Sequence, residues 1–83
     1  MTTTGKRQTT WARADKIVSL SEAHNVLPWL KPDDDADPAD LRQYYQKCAE
    51  VYRRVAEMDR GHHHEALYWA DREAQKAREL DGA

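Results

Sequence analysis

Residues 37–81, DPADLRQYYQKCAEVYRRVAEMDRGHHHEALYWADREAQKARELD, decide the fold. Asp37 stands where a helix N-cap is needed, Pro38 supplies the fixed φ of a first helical position, and Asp40 places a carboxylate near the positive end of the helix dipole. From there Leu41, Tyr44, Cys48, Val51, Val55 and Met58 recur at alternating spacings of three and four, which puts them on one helical face. Tyr45, Ala49, Tyr52 and Ala56 widen that stripe to about half of the circumference, more than one antiparallel neighbour covers. This helix, over about 38–60, is therefore expected at the centre of the fold, touching elements on two sides.

A second helical pattern follows almost at once, over about 62–81. Its seam reads His63, Ala66, Leu67, Ala70, Ala74 and Ala77, and so much alanine lets two backbones approach closely. Gly61 lies between the two patterns, and glycine adopts the left-handed conformation that closes a helix without steric cost. An antiparallel hairpin is the reading that follows. The competing reading is one rod over 38–81, since a glycine inside a helix costs only about 1 kcal/mol. An 83-residue chain has little left with which to cover such a rod, so that version requires a dimer.

Upstream, residues 28–37, PWLKPDDDAD, carry two prolines and an acidic run and read as a connecting loop. Trp29 and Leu30 are expected to pack down over the core, because burying each is worth roughly 1.5–3 kcal/mol. Before the loop, Thr10 can cap a helix over about 10–27 in which Ile17, Leu20, His24 and Leu27 share a face and Trp11, Ala14 and Val18 adjoin it. Pro28 should end that helix. Trp69 and Leu80 fall on the flank of the last helix that would meet it. Residues 1–9 are polar and threonine-rich, without periodicity, and are expected to be a disordered arm. The fold class is thus all-α: a single domain over 10–83 with a three-helix arrangement and a C-terminal antiparallel helical hairpin.

Size and charge narrow the function. A single core in 83 residues leaves a reserve of only a few kcal/mol, so association with a partner or a second copy could supply stability. Thirteen Lys plus Arg against fifteen Asp plus Glu argue against the phosphate attraction on which nucleic-acid binding rests. The basic excess is confined to the start, where Lys6, Arg7, Arg13 and Lys16 stand. One cysteine, Cys48, forms no internal disulfide, and no apolar run reaches the roughly 20 residues that cross a bilayer. A cytoplasmic protein with no membrane association is the expectation.

The run His62-His63-His64-Glu65 is the cluster closest to chemistry. Successive helical residues point about 100° apart, so three adjacent imidazoles on one helix cannot share a metal. Asp59 with His62 or His63, and His62 with Glu65, have usable spacings; Asp59, His62, His63 and Glu65 are thus the weak metal candidates. None is assigned as a ligand, because metal-binding bundles add carboxylates from other helices and the inward positions here are Tyr, Cys, Val and Ala. In the structural reading His63 packs on the end of the second helix, His62 lies on the flank of Trp69 and His64 faces water. His24 reads as a hydrogen-bonded boundary residue and Cys48 as a small buried hydrophobe. No catalytic triad, phosphate-binding glycine loop or Cys-x-x-Cys occurs, and no cofactor is implied.

Residues 59–70, DRGHHHEALYWA, with the REAQKAREL that follows, resemble the end of a group of small uncharacterised actinobacterial proteins that carry a Gly-His-His-His-Glu-Ala helix. The Trp-Ala-Arg-Ala-Asp-Lys stretch beginning at Trp11 is similar more weakly. The resemblance implies no activity; it implies a bacterial cytoplasmic setting and a regulatory role. Gly61, Ala66, Ala70, Ala74, Ala77 and the ending Glu-Leu-Asp-Gly are loosely similar to a tetratricopeptide helix pair, but one copy falls short of the three or so that stable arrays need.

These readings favour a small non-enzymatic protein-interaction or regulatory module, with a homodimer among its forms and Trp29, Tyr45, Tyr68 and Trp69 as the partner surface, since Tyr and Trp carry binding energy at interfaces. One alternative is a metal-binding or small redox protein built on the histidine turn. The other is a nucleic-acid accessory that uses the basic arm.

Overall fold

The computed structural model describes residues 11–33 and 35–81. Every regular element among them is helical: α1 spans Trp11–Ala14, α2 Leu20–Val26, α3 Pro38–Met58 and α4 His63–Asp81, with 3-10 turns at Leu27–Leu30 and Arg60–His62. The arm assigned to residues 1–9, and Thr10 as a cap, lie outside the described residues.

α3 begins as its sequence dictates. Asp37 Oδ1 accepts a hydrogen bond from the Ala39 amide at 3.0 Å, with Pro38 directly after it. The helix buries Tyr44, Cys48, Ala49, Val51, Tyr52, Val55 and Ala56. Met58, expected to continue the stripe, is the last residue of the helix and is exposed.

The hairpin turns at Asp59 and not at Gly61. Asp59 leaves the helical region with φ −102° and ψ 77°, while its amide still bonds to the Val55 carbonyl at 2.7 Å. Gly61 sits inside the following 3-10 turn without left-handed dihedrals, and a methyl group there would meet open space. The glycine therefore has no conformational duty. Gly61→Ala should raise stability by about 0.4–1 kcal/mol, because it narrows the unfolded ensemble without straining the fold. A lower denaturant midpoint for this variant would contradict that.

α4 returns antiparallel to α3. His63 meets Ala56, Trp69 stacks on Tyr52 and Lys76 reaches Tyr45, so one helix descends as the other rises. A rod over 38–81 is thereby ruled out. Ala66, Ala70 and Ala77 form the buried seam as expected, but the position between them is Glu73, 7% exposed, whereas Leu67 is 39% exposed and Ala74 only half-buried. The helix is rotated from the purely hydrophobic choice. The observed seam, His63, Ala66, Ala70, Glu73 and Ala77, keeps a strict alternation of three and four, and Glu73 tolerates its place by pairing with Lys76 at 3.3 Å.

The single helix expected over 10–27 is broken. After one turn of α1 the chain leaves helical geometry across residues 15–19, and Ser19 restarts it as an extended N-cap whose hydroxyl accepts from the Glu22 amide at 3.2 Å. Ile17 is fully buried from this irregular stretch. Backbone groups freed by such a break must find partners elsewhere. Arg54 of α3 donates to the Ala14 carbonyl at 2.6 Å and to the Ile17 carbonyl at 3.1 Å, and Asp59 Oδ2 accepts from the Leu20 amide at 3.0 Å. One cation and one anion on the hairpin thus hold the N-terminal segment by its main chain.

α2 then lays Leu20, Ala23 and Val26 into the core, followed by Leu27. Pro28 does not stop the chain abruptly but sits within the 3-10 turn Leu27–Leu30. Of the two expected anchors, Leu30 packs against the core, whereas Trp29 is 66% exposed: the tight turn directs the two side chains apart.

Candidate functional site

The residues with the densest polar and aromatic convergence lie where α2 and the Leu27–Lys31 stretch cross the hairpin. A cleft of about 240 Å³ opens there, between that stretch, α3 and α4. α3 contributes Tyr44, Tyr45, Cys48 and Tyr52 at helical spacing, and α4 contributes Trp69, Glu73 and Lys76. Two tyrosine hydroxyls are committed to the scaffold. Tyr44 donates to the Leu27 carbonyl at 3.1 Å, and the Tyr52 hydroxyl hydrogen-bonds His24 Nδ1 at 3.0 Å. Both bonds tie the short N-terminal elements to α3.

The rings form a connected set. His24 meets Trp69 edge-on at 5.2 Å between centroids, and Tyr52 stacks on Trp69 at 6.3 Å with a 29° interplanar angle. Trp69 therefore meets the N-terminal region as expected, but its imidazole neighbour is His24; His62, expected there, belongs to the turn instead. Tyr45 stands edge-on to Tyr44 at 5.1 Å, with the Lys76 ammonium 5.3 Å above its ring.

Burial sets the protonation of this layer. Removal from water pushes the Cys48 thiol up to about 12 and carries the Tyr44 and Tyr52 hydroxyls above their ordinary range, with the Glu73 carboxylate adding to each shift. Cys48, 1% exposed, is a protonated thiol at neutral pH and no nucleophile. The apolar stripe of α3 signals Tyr44, Cys48 and Tyr52 in the sequence, whereas Glu73 and Lys76 are marked only by their i,i+3 spacing.

The histidine corner serves a different purpose. His62 Nδ1 lies 3.0 Å from Asp59 Oδ2, the oxygen that also accepts from Leu20. His63, half-buried, donates from Nδ1 to the Ala56 carbonyl at 2.7 Å, covering an open carbonyl near the end of α3. His64 is exposed and packs edge-on against His63 at 5.2 Å. Of the metal candidates, Asp59 and His62 are thus brought together, His63 is turned onto α3 and Glu65 stands exposed. Among the described residues no three His, Cys, Asp or Glu side chains are placed to hold a metal ion.

Asp59 is the titratable centre of the corner. Its carboxyl is held below the usual range, first by the hydrogen bond from the Leu20 amide and then by that of His62. A lowered pKa contributes stability above the ordinary carboxylate value of about 4, and this is lost as pH falls through the lowered value. Wild type should therefore exceed Asp59→Asn in thermal midpoint at pH 7, and the two curves should converge in acid below about pH 4. A gap that persists unchanged in acid would show that the carboxylate's charge plays no part.

Of the expected partner surface, Trp29 and Tyr68 are exposed, Tyr68 by 54%, whereas Tyr45 and Trp69 pack against the core and are half-buried. Arg72 lies over both Tyr68 and Trp69, 5.8 Å from each ring, and its guanidinium donates to the Tyr68 hydroxyl at 3.4 Å. Of the basic candidates, Lys6 and Arg7 lie outside the described residues. No helix among the described residues is long and apolar enough to cross a membrane. Comparison of the chain with protein-family models, with curated proteins and with solved structures gives no match.

Proposed function

We propose that this chain is a small, non-enzymatic protein-interaction module of regulatory kind, working in the bacterial cytoplasm, with a contact surface centred on Tyr68, Trp69 and Arg72. The observation that supports it is the ordered stack itself. Tyr68 is largely in water, yet its ring is fixed edge-on to Trp69 at 5.5 Å and covered by Arg72. Tyr, Trp and Arg are the side chains that most often dominate interface energetics, and a surface fixed before binding loses little rotamer freedom on contact. Trp29 would be a second anchor. The cytoplasmic setting is supported by the single buried cysteine and by the resemblance of the C-terminal helix to small actinobacterial proteins.

Affinity capture from the native cells, with wild type and Tyr68→Ala as parallel baits, tests the surface. The variant should keep its helical circular dichroism and lose its partner by a factor of about ten or more, the scale of an interface hot spot. Equal recovery by both baits removes this surface from the proposal. Light scattering decides the homodimer form: self-association abolished by Tyr68→Ala makes the partner a second copy, and a monomer at every concentration removes the dimer.

A further inference from the structure

We propose that the cleft between the Leu27–Lys31 stretch, α3 and α4 binds a single alkylammonium group, and that Lys76 of this chain is its built-in occupant. Glu73 is the reason. Its side chain is 10% exposed, on the seam between two helices, and it faces an opening rather than a packed wall. The contact it receives from Lys76 Nζ is 3.3 Å, long for a bond between two full charges. Glu73 lines the cleft together with Tyr44, Cys48 and Tyr52, and its charge raises the pKa of all three.

Tyr45, Tyr52 and Trp69 line the same cleft, and the Tyr45 ring face already holds a cation through its quadrupole, Lys76 Nζ lying 5.3 Å from its centroid. Lys76 already shows the pairing the cleft accepts, with its ammonium between Glu73 and the Tyr45 ring. Its side chain is 40% exposed and reaches in from one turn further along α4, on a flexible four-carbon stem. It can swing into water while another ammonium takes its place, and the charge inside the cleft is unchanged. An anion would instead approach the nearly buried Glu73. Lys31, on the exposed rim, repels an incoming cation at a range that salt screens.

At about 240 Å³ the cleft is smaller than the roughly 300–1,000 Å³ that houses a drug-sized molecule. It suits one group: a small free amine, or the lysine side chain of a partner protein. The inference goes beyond the partner surface above, which lies on the Tyr68 side of Trp69.

The test is titration of the full chain with n-butylammonium chloride and, separately, with Nα-acetyl-lysine amide, read at the Trp69 indole N–H by NMR at constant ionic strength. Trp29 serves as the internal control. A saturable shift confined to Trp69, with affinity on the order of millimolar, is expected. Lys76→Met should tighten binding about tenfold, because it removes the competing occupant, and Glu73→Gln should abolish saturation. Equal affinity for both probes assigns a free amine; tighter binding of the lysine amide assigns a partner's lysine. A shift no different from sodium chloride, weaker binding by Lys76→Met, or tighter saturation by benzoate overturns the proposal. Should Glu73→Gln unfold, the sign of the Lys76→Met effect decides alone.

Discussion

Ile17→Ala should lower the unfolding free energy by about 2–5 kcal/mol, the range for removing most of a large buried side chain and leaving a cavity. That is comparable with the whole reserve of a single-core domain of about this size, so the variant should be largely unfolded at 37 °C, as read by far-ultraviolet circular dichroism and urea titration. Ile17 is 0% exposed and, from the irregular stretch between α1 and α2, belongs to the same core cluster as Val51 and Val55 of α3. Val18, its neighbour, is 47% exposed. Val18→Ala should stay within about 0.5 kcal/mol of wild type. Equal costs at 17 and 18 would mean that the segment is not seated as described.

Arg54→Ala should destabilise by about 2–3 kcal/mol, since it deletes two charge-assisted hydrogen bonds and strands the Ile17 carbonyl, while the Ala14 carbonyl keeps only its bond from the Ile17 amide. Arg54→Lys should recover less than half of that. One ammonium cannot reproduce the planar fork that reaches Ala14 and Ile17 together. Hydrogen exchange provides the second readout: the amides of Asp15, Lys16 and Ile17, bonded locally to Trp11, Arg13 and Ala14, should lose protection before those of α3. Arg54→Ala and Asp59→Asn act on adjacent parts of one segment, so their combined cost should fall short of the sum of the two. Full additivity would show that the two anchors hold independent pieces.

The hairpin was legible in the sequence because its signals are local. Asp37-Pro38 opens α3, the alternation of three and four from Leu41 names its buried face, and the alanines of α4 announce close approach. Two positions in the hairpin depart from what the local signals predict. Gly61 looked like the turn residue, yet Asp59 adopts the non-helical geometry while its carboxylate is held by Leu20, 39 positions away. Glu73 was passed over for Leu67 and Ala74 because hydrophobicity alone ranks it last. Its partner Lys76 and the ring face of Tyr45 make the inward position tolerable.

The break in the first helix had a local signal that the apolar periodicity masked. Ser19 and Glu22 stand at capping-box spacing, and the Ser19 hydroxyl does receive the Glu22 amide. Reading Ile17, Leu20, His24 and Leu27 as one helical stripe was correct for burial at three of the four positions and wrong for continuity. The candidate site was half visible. Its aromatic walls follow from the stripe on α3, whereas the arrival of His24 and of the Leu27–Lys31 stretch over them depends on where the N-terminal segment docks.

That docking has an evolutionary consequence. Arg54 and Asp59 grip carbonyls and an amide, which every residue type possesses apart from the amide that proline lacks, so the address of the stretch from Ala14 to Leu20 is written largely in the hairpin. Lys16 and Val18, both exposed, are free to drift, while a change at either gripping residue releases a stretch of chain whose own letters are intact. Lineages of this protein should therefore diverge fastest where the segment meets solvent and keep the arginine and the aspartate. For the same reason, a foreign segment that retains a buried residue at position 17 could be grafted onto the hairpin without redesigning the surface that receives it.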